Sequence, residues 1–462
     1  MTTKLREGFT TGSAATGAAL AALHLLKTGR APSHVDVPLP PFSFPPAPTP
    51  APTSDGHLAA ANGTAASTVA GSGFADEPIP APRGMLRLEV AACDHGAAPE
   101  LASCPEFAAL FTQKTPSSQT AHSADASTCP SGQGNTQGSL RVAHASIRKD
   151  GGDDPDATSG ALITVTVVEN FPVAEQPAIS HTIEEANDAS GLARPFTVSI
   201  EGGPGVGRVT LPGLPVPVGE AAVNPTPRQQ ITLALRCAAL QLGERPGPSL
   251  RVIISVPEGE RLARQTFNPR LGIVGGISIL GTQGTVRPYS HQAWKATIEQ
   301  GLAVALATGC RDMGLTTGRR SERLLMDKYP QMPQRSFIQV ADFAAFSLKA
   351  AGAMPFENLI WGCFFGKLVK LAQGHAYTHA RHADLDMEDL ARLCRQCGAA
   401  CADEVRNCVT AAHALELLLQ DKAGNDVIAL TGEKAAAVAA NFAGRHVRLH
   451  LFHTDGRELL AL

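Results

Sequence analysis

The chain has 462 residues, a formal net charge of −3, 44% hydrophobic and 18% charged residues, which is the make-up of a globular protein of two or three domains. No run of about 20 apolar residues offers a membrane span, and no basic patch marks a nucleic-acid partner. Ten cysteines at this length do not make a disulfide framework.

The stretch GFTTGSAATGAALAALHLLKTG, from Gly8, reads as loop, cap, helix and stop. Ser13 is the expected N-cap, Lys27 suits the last turn and Gly29 ends the helix. The run Ala14 to Leu26 follows Lys4 and Arg6 and has the outline of a signal peptide. Thr16, Gly17 and His24 interrupt it, Glu7 sits in the would-be basic region, and no small-residue cleavage site follows. The expectation is a helix in a cytoplasmic protein. From Pro32 to about Gln137 the composition becomes rich in proline and small polar residues, as in PLPPFSFPPAPTPAPTSDG. Such sequence buries too little apolar surface to offset its ordering entropy. It reads as a long, largely mobile insertion, with a strand-like island at GMLRLEVAACD and a short helix at LASCPEFAALFTQ. Deleting Pro45 to Ala81 is expected to leave folding intact.

Order resumes at LRVAHASIRKDGGDDPDATSGALITVTVV, two strands around an acidic turn. FTVSIEGGPGVGRVTL gives a strand, a glycine-rich turn and a second strand, and ITLALRCAALQL a helix. After Pro248 the rhythm alternates. LRVIISVP, LGIVGGISILG, RDMGLTT, FIQV, NLIWGC and VRLHLF read as strands. SHQAWKATIEQGLAVALATG, GRRSERLLMDKY, ADFAAFSLKAAGA and GKLVKLAQG read as helices. Alternation of this kind predicts a mostly parallel sheet covered on both faces. The fold expected is an α+β N-terminal domain over residues 1–247 and an α/β, Rossmann-like C-terminal domain over 248–462. Ligands of such sheets bind beyond the carboxyl ends of the strands, here GTQG, TTGRRSE and GCFFGK.

Thr10, Thr11 and Gly12 precede a helix, where hydroxyls and amides suit either an anionic group or a simple capping loop. The turn DGGDDPDATSG, Asp150 to Gly160, fits no calcium loop, and leaves Asp153, Asp154 and Asp156 as candidate bases or cation holders, or as solvated turn residues. GGPGVG lies between strands and so fails the context test for a dinucleotide fingerprint. Arg270, Arg287, Arg319 and Arg320 stand beside the expected strand ends and suit bidentate pairing with carboxylates. Cys394, Cys397, Cys401 and Cys408 follow a helical spacing within a pattern from Met387 to Gln420. They read as a buried stripe, since no second CxxC or HxxxH completes a zinc set. His379 and His382, in THARHAD, are spaced to face one way on a helix. No P-loop pattern is present.

The segments GFTTGSAA, KDGGDDPDATSGA, EGGPGVGRVTLPGLPVPVGEAAVNPTPR, NPRLGIVGGISILGTQGTVRP, TTGRRSE and THARHAD resemble, in this order, the CbiD family, the cobalt-precorrin-5B methyltransferases of anaerobic cobalamin synthesis. The resemblance covers nearly the whole chain outside the insertion. It implies methyl transfer from S-adenosylmethionine to carbon 1 of a cobalt-containing corrinoid, with cobalt carried only by the substrate and no protein metal site. Carboxylate arms of that substrate suit Arg208, Arg270, Arg287, Arg319 and Arg320, with Thr10 and Thr11. The donor is expected along Gly275, Gly276, Ser278, Gly281 and Thr282 and at Thr317 and Gly318, because glycine permits close backbone approach. His379, Asp154 and Asp156 are the candidates for proton chemistry. Gly276→Val is expected to abolish binding while the melting temperature stays within a few degrees. Commoner members carry a GHIGK-like segment where this chain reads GCFFGK, so no histidine role passes to Cys363. A non-enzymatic tetrapyrrole carrier built on the same arginines and glycines is the alternative.

Overall fold

The computed structural model describes residues 5–43, 81–105, 107, 140–169, 180–183, 196–243 and 249–462. The chain forms two compact units, one of residues 1–208, 219–268 and 273–289, the other of 209–218, 269–272 and 290–462. It is a mixed α/β protein.

The first unit is built on a six-stranded sheet. In chain order its strands are β1 (Ala92–His95), β2 (Arg141–Arg148), β3 (Leu162–Glu169), β4 (Ser180–Ile183), β5 (Phe196–Gly202) and β6 (Ser249–Ser255). Their order across the sheet is β1-β2-β3-β6-β5-β4. β6 pairs antiparallel with β3 and parallel with β5. The sequence reading gave β6 to the second domain, because the rhythm changes just before it. Tertiary pairing decides otherwise: Val252, Ile253 and Ile254 are fully buried in the centre of this sheet, so β6 reads as the continuous apolar run of a strand covered on both faces.

Helices α1 (Thr11–Thr28) and α2 (Pro225–Gln241) pack on this sheet. The alanines of α1 are nearly all buried and let the helix come close. At Gly17 a methyl group would stand 2.5 Å from Ile147 Cδ1, so a larger residue there would require the Ile147 side chain to shift. The N-cap is Thr10 rather than Ser13: its hydroxyl accepts from the Ser13 amide at 3.2 Å. Gly29 closes the helix at φ 70° as expected. Lys27 pairs with the buried Glu169, which Arg141 also reaches at 3.0 Å.

Part of the expected mobile insertion is ordered. His34–Ser43 pairs antiparallel with Ala81–Glu89, so PLPPFSF is strand in spite of its prolines. A register shift between Leu39 and Phe42 accommodates them. The island at Gly84 is part of this hairpin, and Pro99–Ala102 is a short helix. Residues 44–80, 106 and 108–139 lie outside the described residues, as does nearly all of the Pro45–Ala81 deletion.

The second unit carries a five-stranded sheet of β7 (Asp312–Thr316), β8 (Phe337–Gln339), β9 (Asn358–Phe364), β10 (Arg448–Phe452) and β11 (Glu458–Ala461), in the order β8-β7-β9-β10-β11. The first three pairings are parallel and the last is antiparallel. Its helices are α3 (His291–Ala307), α4 (Arg319–Lys328), α5 (Ala344–Gly352), α6 (Phe365–Ala372), α7 (Met387–Gln396), α8 (Ala402–Arg406), α9 (Ala411–Gln420) and α10 (Gly424–Ala443). β9 shows why the sheet is covered twice. Ile360 meets Leu325 of α4 on one face. Leu359, Trp361 and Cys363 enter the larger core with α5, α6 and α10 on the other.

Two sequence expectations fail here for local reasons. The pattern from Met387 to Gln420 is three helices, broken at Gly398 (φ 74°) and again before Thr410, which caps α9. Cys394, Cys401 and Cys408 are buried, but on separate segments rather than on one stripe. LGIVGGISILG is not a strand of the parallel sheet: it contributes two-residue pieces, of which Gly276–Ile277 pairs with Gly205–Val206 in the first unit.

Candidate functional site

Two clusters gather the residues singled out by sequence. In the first unit, the segment Gly276–Gly284 wraps the start of α1. The Thr10 amide donates to the Gly284 carbonyl at 3.1 Å, the Gly12 amide to the Leu280 carbonyl at 3.1 Å, and the Ser13 hydroxyl to Gly284 at 2.8 Å. Thr11 Oγ1 accepts from the Leu280 amide at 2.9 Å and donates to the Leu280 carbonyl at 3.1 Å. The hydroxyls of Thr10 and Thr11, and the amides of Thr10, Gly12 and Ser13, are therefore satisfied by the chain itself. This is the capping-loop reading of TTG.

The glycines of that segment answer to backbone. A methyl group on Gly276 would lie 2.1 Å from the Gly205 carbonyl oxygen, and one on Gly281 2.3 Å from Thr10 Oγ1. Ser278 is buried and its hydroxyl lies 3.4 Å from Asn268 Oδ1. Gly275, at φ 83° with open space around it, and Thr282 face outward. Beside them Val274, Leu280 and Tyr289 are exposed apolar side chains.

The acidic turn is equally engaged. Asp153 accepts from the Arg6 amide at 2.6 Å, and Asp154 from the Tyr289 amide at 2.8 Å. Asp150 pairs with Arg6, whose hydrogen bond holds that carboxyl below its ordinary range. Burial pushes the Asp156 carboxyl up, but its pairing with buried Lys149 and its bonds from Thr158 outweigh this and hold it low. Asp150 and Asp156, held low by these partners, are poor proton acceptors. Arg208 donates to the Gly219 carbonyl at 2.6 Å and Arg287 lies 3.3 Å from Glu7, both at the surface.

The second cluster sits at the carboxyl ends of the parallel strands. After β7 the chain turns through Thr317 and Gly318 into α4 on one face. After β8 and after β9 it turns to α5 and α6 on the other. The order β8-β7-β9 makes the end of β7 the switch point of the sheet. A methyl group on Gly318 would meet nothing within 4 Å, so the space above this turn is open. The first-turn amides of α4 have no intrahelical partner. Arg319 is exposed, while Arg320 donates to the Thr454 carbonyl at 2.6 Å and lies 5.5 Å over the Phe364 ring. Arg270 makes a two-pronged ion pair with Glu322, the second contact at 2.8 Å, and Gln339 donates to the same carboxylate at 2.7 Å. Glu322 is buried, so Arg270 serves it first.

The end of β8 carries residues that the sequence reading passed over. Asp342 pairs with Lys367 of α6 and accepts from Thr378 Oγ1 at 3.1 Å. Lys370, buried, donates to the Thr378 carbonyl at 3.1 Å, and burial lowers its ammonium pKa. Tyr377 Oη and His291 Nε2 are 3.1 Å apart, and the Tyr377 ring stacks on His379 at 6.0 Å. His379 and His382 lie on a turn, not a helix, with ring centres 5.8 Å apart. The Arg381 amide donates to His379 Nδ1 at 3.2 Å, which in the neutral ring leaves the proton on Nε2. Cys363 is wholly buried, its thiol pushed up to about 12 by burial. The sequence signal for Asp342 and Lys367 was their position just past two strand ends, but a lone aspartate and a lone lysine do not announce a pair.

Two cavities of about 210 and 240 Å³ open at the opposite, amino ends of these strands, lined by residues such as Arg445, His446 and Arg448, and Arg311 and Arg335. Among the described residues no three His, Cys, Asp or Glu side chains are placed to hold a metal ion, and no helix is long and apolar enough to cross a membrane.

The chain matches the profile of the CbiD family over residues 1–49 and 96–288, and that of the CbiD C-terminal domain over 377–461. The first match ends where the first compact unit ends, at about residue 289 rather than 247. A protein of Nitratidesulfovibrio vulgaris named cobalt-precorrin-5B C(1)-methyltransferase is 53% identical over 319 residues, 68% of this chain and 76% of that one. One of the same name from Geobacillus thermodenitrificans is 46% identical over 279 residues, 60% of this chain and 68% of that one. A crystal structure of a cobalamin biosynthesis protein (cbiD) from Archaeoglobus fulgidus is 22% identical over 79% of this chain and 78% of that one, with a TM-score of 0.30, too low to carry an argument.

Proposed function

Because the chain belongs to the CbiD family, we propose that it is a methyltransferase acting on carbon 1 of cobalt-precorrin-5B, giving cobalt-precorrin-6A in anaerobic cobalamin synthesis. The observation that carries this reading is the identity of 53% over 319 residues to a protein of that activity. The methyl donor is S-adenosylmethionine, and cobalt arrives within the corrinoid.

The switch point at Thr317 and Gly318 fits the donor. It has open space over a glycine turn, unshared helix amides for a carboxylate, and a carboxylate at the next strand end. When bound, the donor supplies an electrophilic sulfonium methyl. The protein's part is to fix the donor, orient the acceptor carbon and keep water from the sulfonium. Arg287, Arg208 and Arg319, exposed and held at most by surface contacts, are the arginines best placed to meet carboxylate arms. Arg270, bound to Glu322, and Arg320, bound to Thr454, hold the fold around the switch point instead.

Calorimetry with S-adenosylhomocysteine, followed by mass analysis of the incubated corrinoid, tests the reading. A gain of one methyl in the corrinoid and saturable binding of the nucleoside are expected. Corrinoid binding without either would make the protein a carrier.

A further inference from the structure

We propose that Asp342 anchors the ribose of the methyl donor, an inference that rests on the donor site proposed above. β7, α4 and β8 form the first strand–helix–strand unit of the doubly covered sheet. A nucleoside bound at such a unit lies over the end of the first strand, and its ribose reaches a carboxylate about 20 residues beyond the glycine turn, at the end of the second. Asp342 stands 24 positions after Gly318, three residues past the end of β8.

Its environment selects what it binds. Lys367 and Thr378 Oγ1 both engage Oδ1, which fixes the orientation of the carboxylate. Oδ2 makes no hydrogen bond to any described residue, and the side chain keeps 18% of its surface exposed. The ion pair joins the ends of β8 and β9, which flank β7, so it borders the switch point itself. Asp342 and Lys367 together are nearly neutral. A cationic group approaching Oδ2 gains the carboxylate and loses to the ammonium beside it. A neutral hydroxyl donates to the same oxygen without that repulsion, so a sugar hydroxyl suits this acceptor better than an ammonium or sulfonium. A purely structural tie would need Oδ1 alone.

Calorimetry on the full chain with S-adenosylhomocysteine and its 2′,3′-dideoxy counterpart tests the assignment. The unaltered protein should bind the dideoxy ligand about tenfold to a hundredfold more weakly, the range for a hydrogen bond to a charged group. Asp342→Asn should weaken S-adenosylhomocysteine by a similar factor and no longer distinguish the two. If the variant discriminates as the unaltered protein does, the assignment is wrong while the donor site stands. If the unaltered protein binds neither ligand, the donor reading falls and takes this one with it. Hydrogen exchange on the unaltered protein covers the case in which Asp342→Asn melts early. S-adenosylhomocysteine should protect residues 316–321 and 340–343 together, and protection of the first segment without the second overturns the ribose assignment.

Discussion

Gly276 offers the sharpest test of what the glycine-rich segment is for. Its ideal methyl position lies 2.1 Å from the Gly205 carbonyl oxygen, 2.2 Å from the Gly205 carbonyl carbon and 2.7 Å from the Gly207 amide nitrogen. These are backbone atoms of the paired strand Gly205–Val206 and of Gly207 just after it, so no rotamer change relieves the contact. Overpacking typically costs about 1–3 kcal/mol, and a clash with backbone on both sides belongs at the upper end, about 3 kcal/mol. For a compact unit of this size class that corresponds to a fall in melting temperature of roughly 6–12 °C. Gly276→Ala and Gly276→Val should both show it in a thermal melt followed by circular dichroism, the valine more severely. Gly275→Ala is the control: the position is open and pays only for its φ of 83°, roughly 1–2 kcal/mol. A Gly276→Ala protein melting within about 2 °C of the parent would refute the backbone-clash argument. It would also return this glycine to the role the sequence suggested, a ligand-facing position where added bulk costs binding rather than folding.

Thr10→Ala removes the cap acceptor of α1 and should cost about 1 kcal/mol in a denaturant titration, with Thr10→Ser recovering most of it. Arg270→Ala leaves the Glu322 carboxylate, 4% exposed, without its cation and should destabilise by about 3–5 kcal/mol, whereas pairing Arg270→Met with Glu322→Gln should recover much of that loss. If Arg270→Ala instead leaves the melt unchanged and weakens corrinoid binding, the arginine belongs to the substrate after all. Asp156 has a folded pKa below its ordinary value, so its contribution is present at neutral pH and is lost as pH falls through that lowered value. Stability measured against pH in Asp156→Asn should be lower than the parent near neutrality and should converge on it in acid, and parallel curves would show that Asp156 is not the linked group.

Much of the second unit was legible because its strands and helices alternate with clear stops. Ser290 and Gly309 bracket α3, and TTG and GCFFGK fall at strand ends as expected. What misled was information that sequence does not carry. β6 looks like the opening of a parallel sheet, yet its partners are β3 and β5, chosen by tertiary pairing. The proline-rich strand His34–Ser43 forms because a partner at Ala81–Glu89 supplies its ladder from beyond a long connection, a match that composition cannot foresee.

The glycine run is ambiguous for a more instructive reason. A glycine placed for a ligand and a glycine placed for another strand satisfy the same requirement, that nothing project from the backbone. Gly276, Gly281 and Gly318 are alike in sequence, each beside hydroxyl or apolar residues. They differ only in what faces the missing side chain: Gly205 backbone for the first, Thr10 for the second and open space for the third. Space is the property a binding turn needs. Of the three, Gly318 alone combines it with a strand end, a helix start and a carboxylate just past the neighbouring strand, which is why the proposed donor site is drawn there.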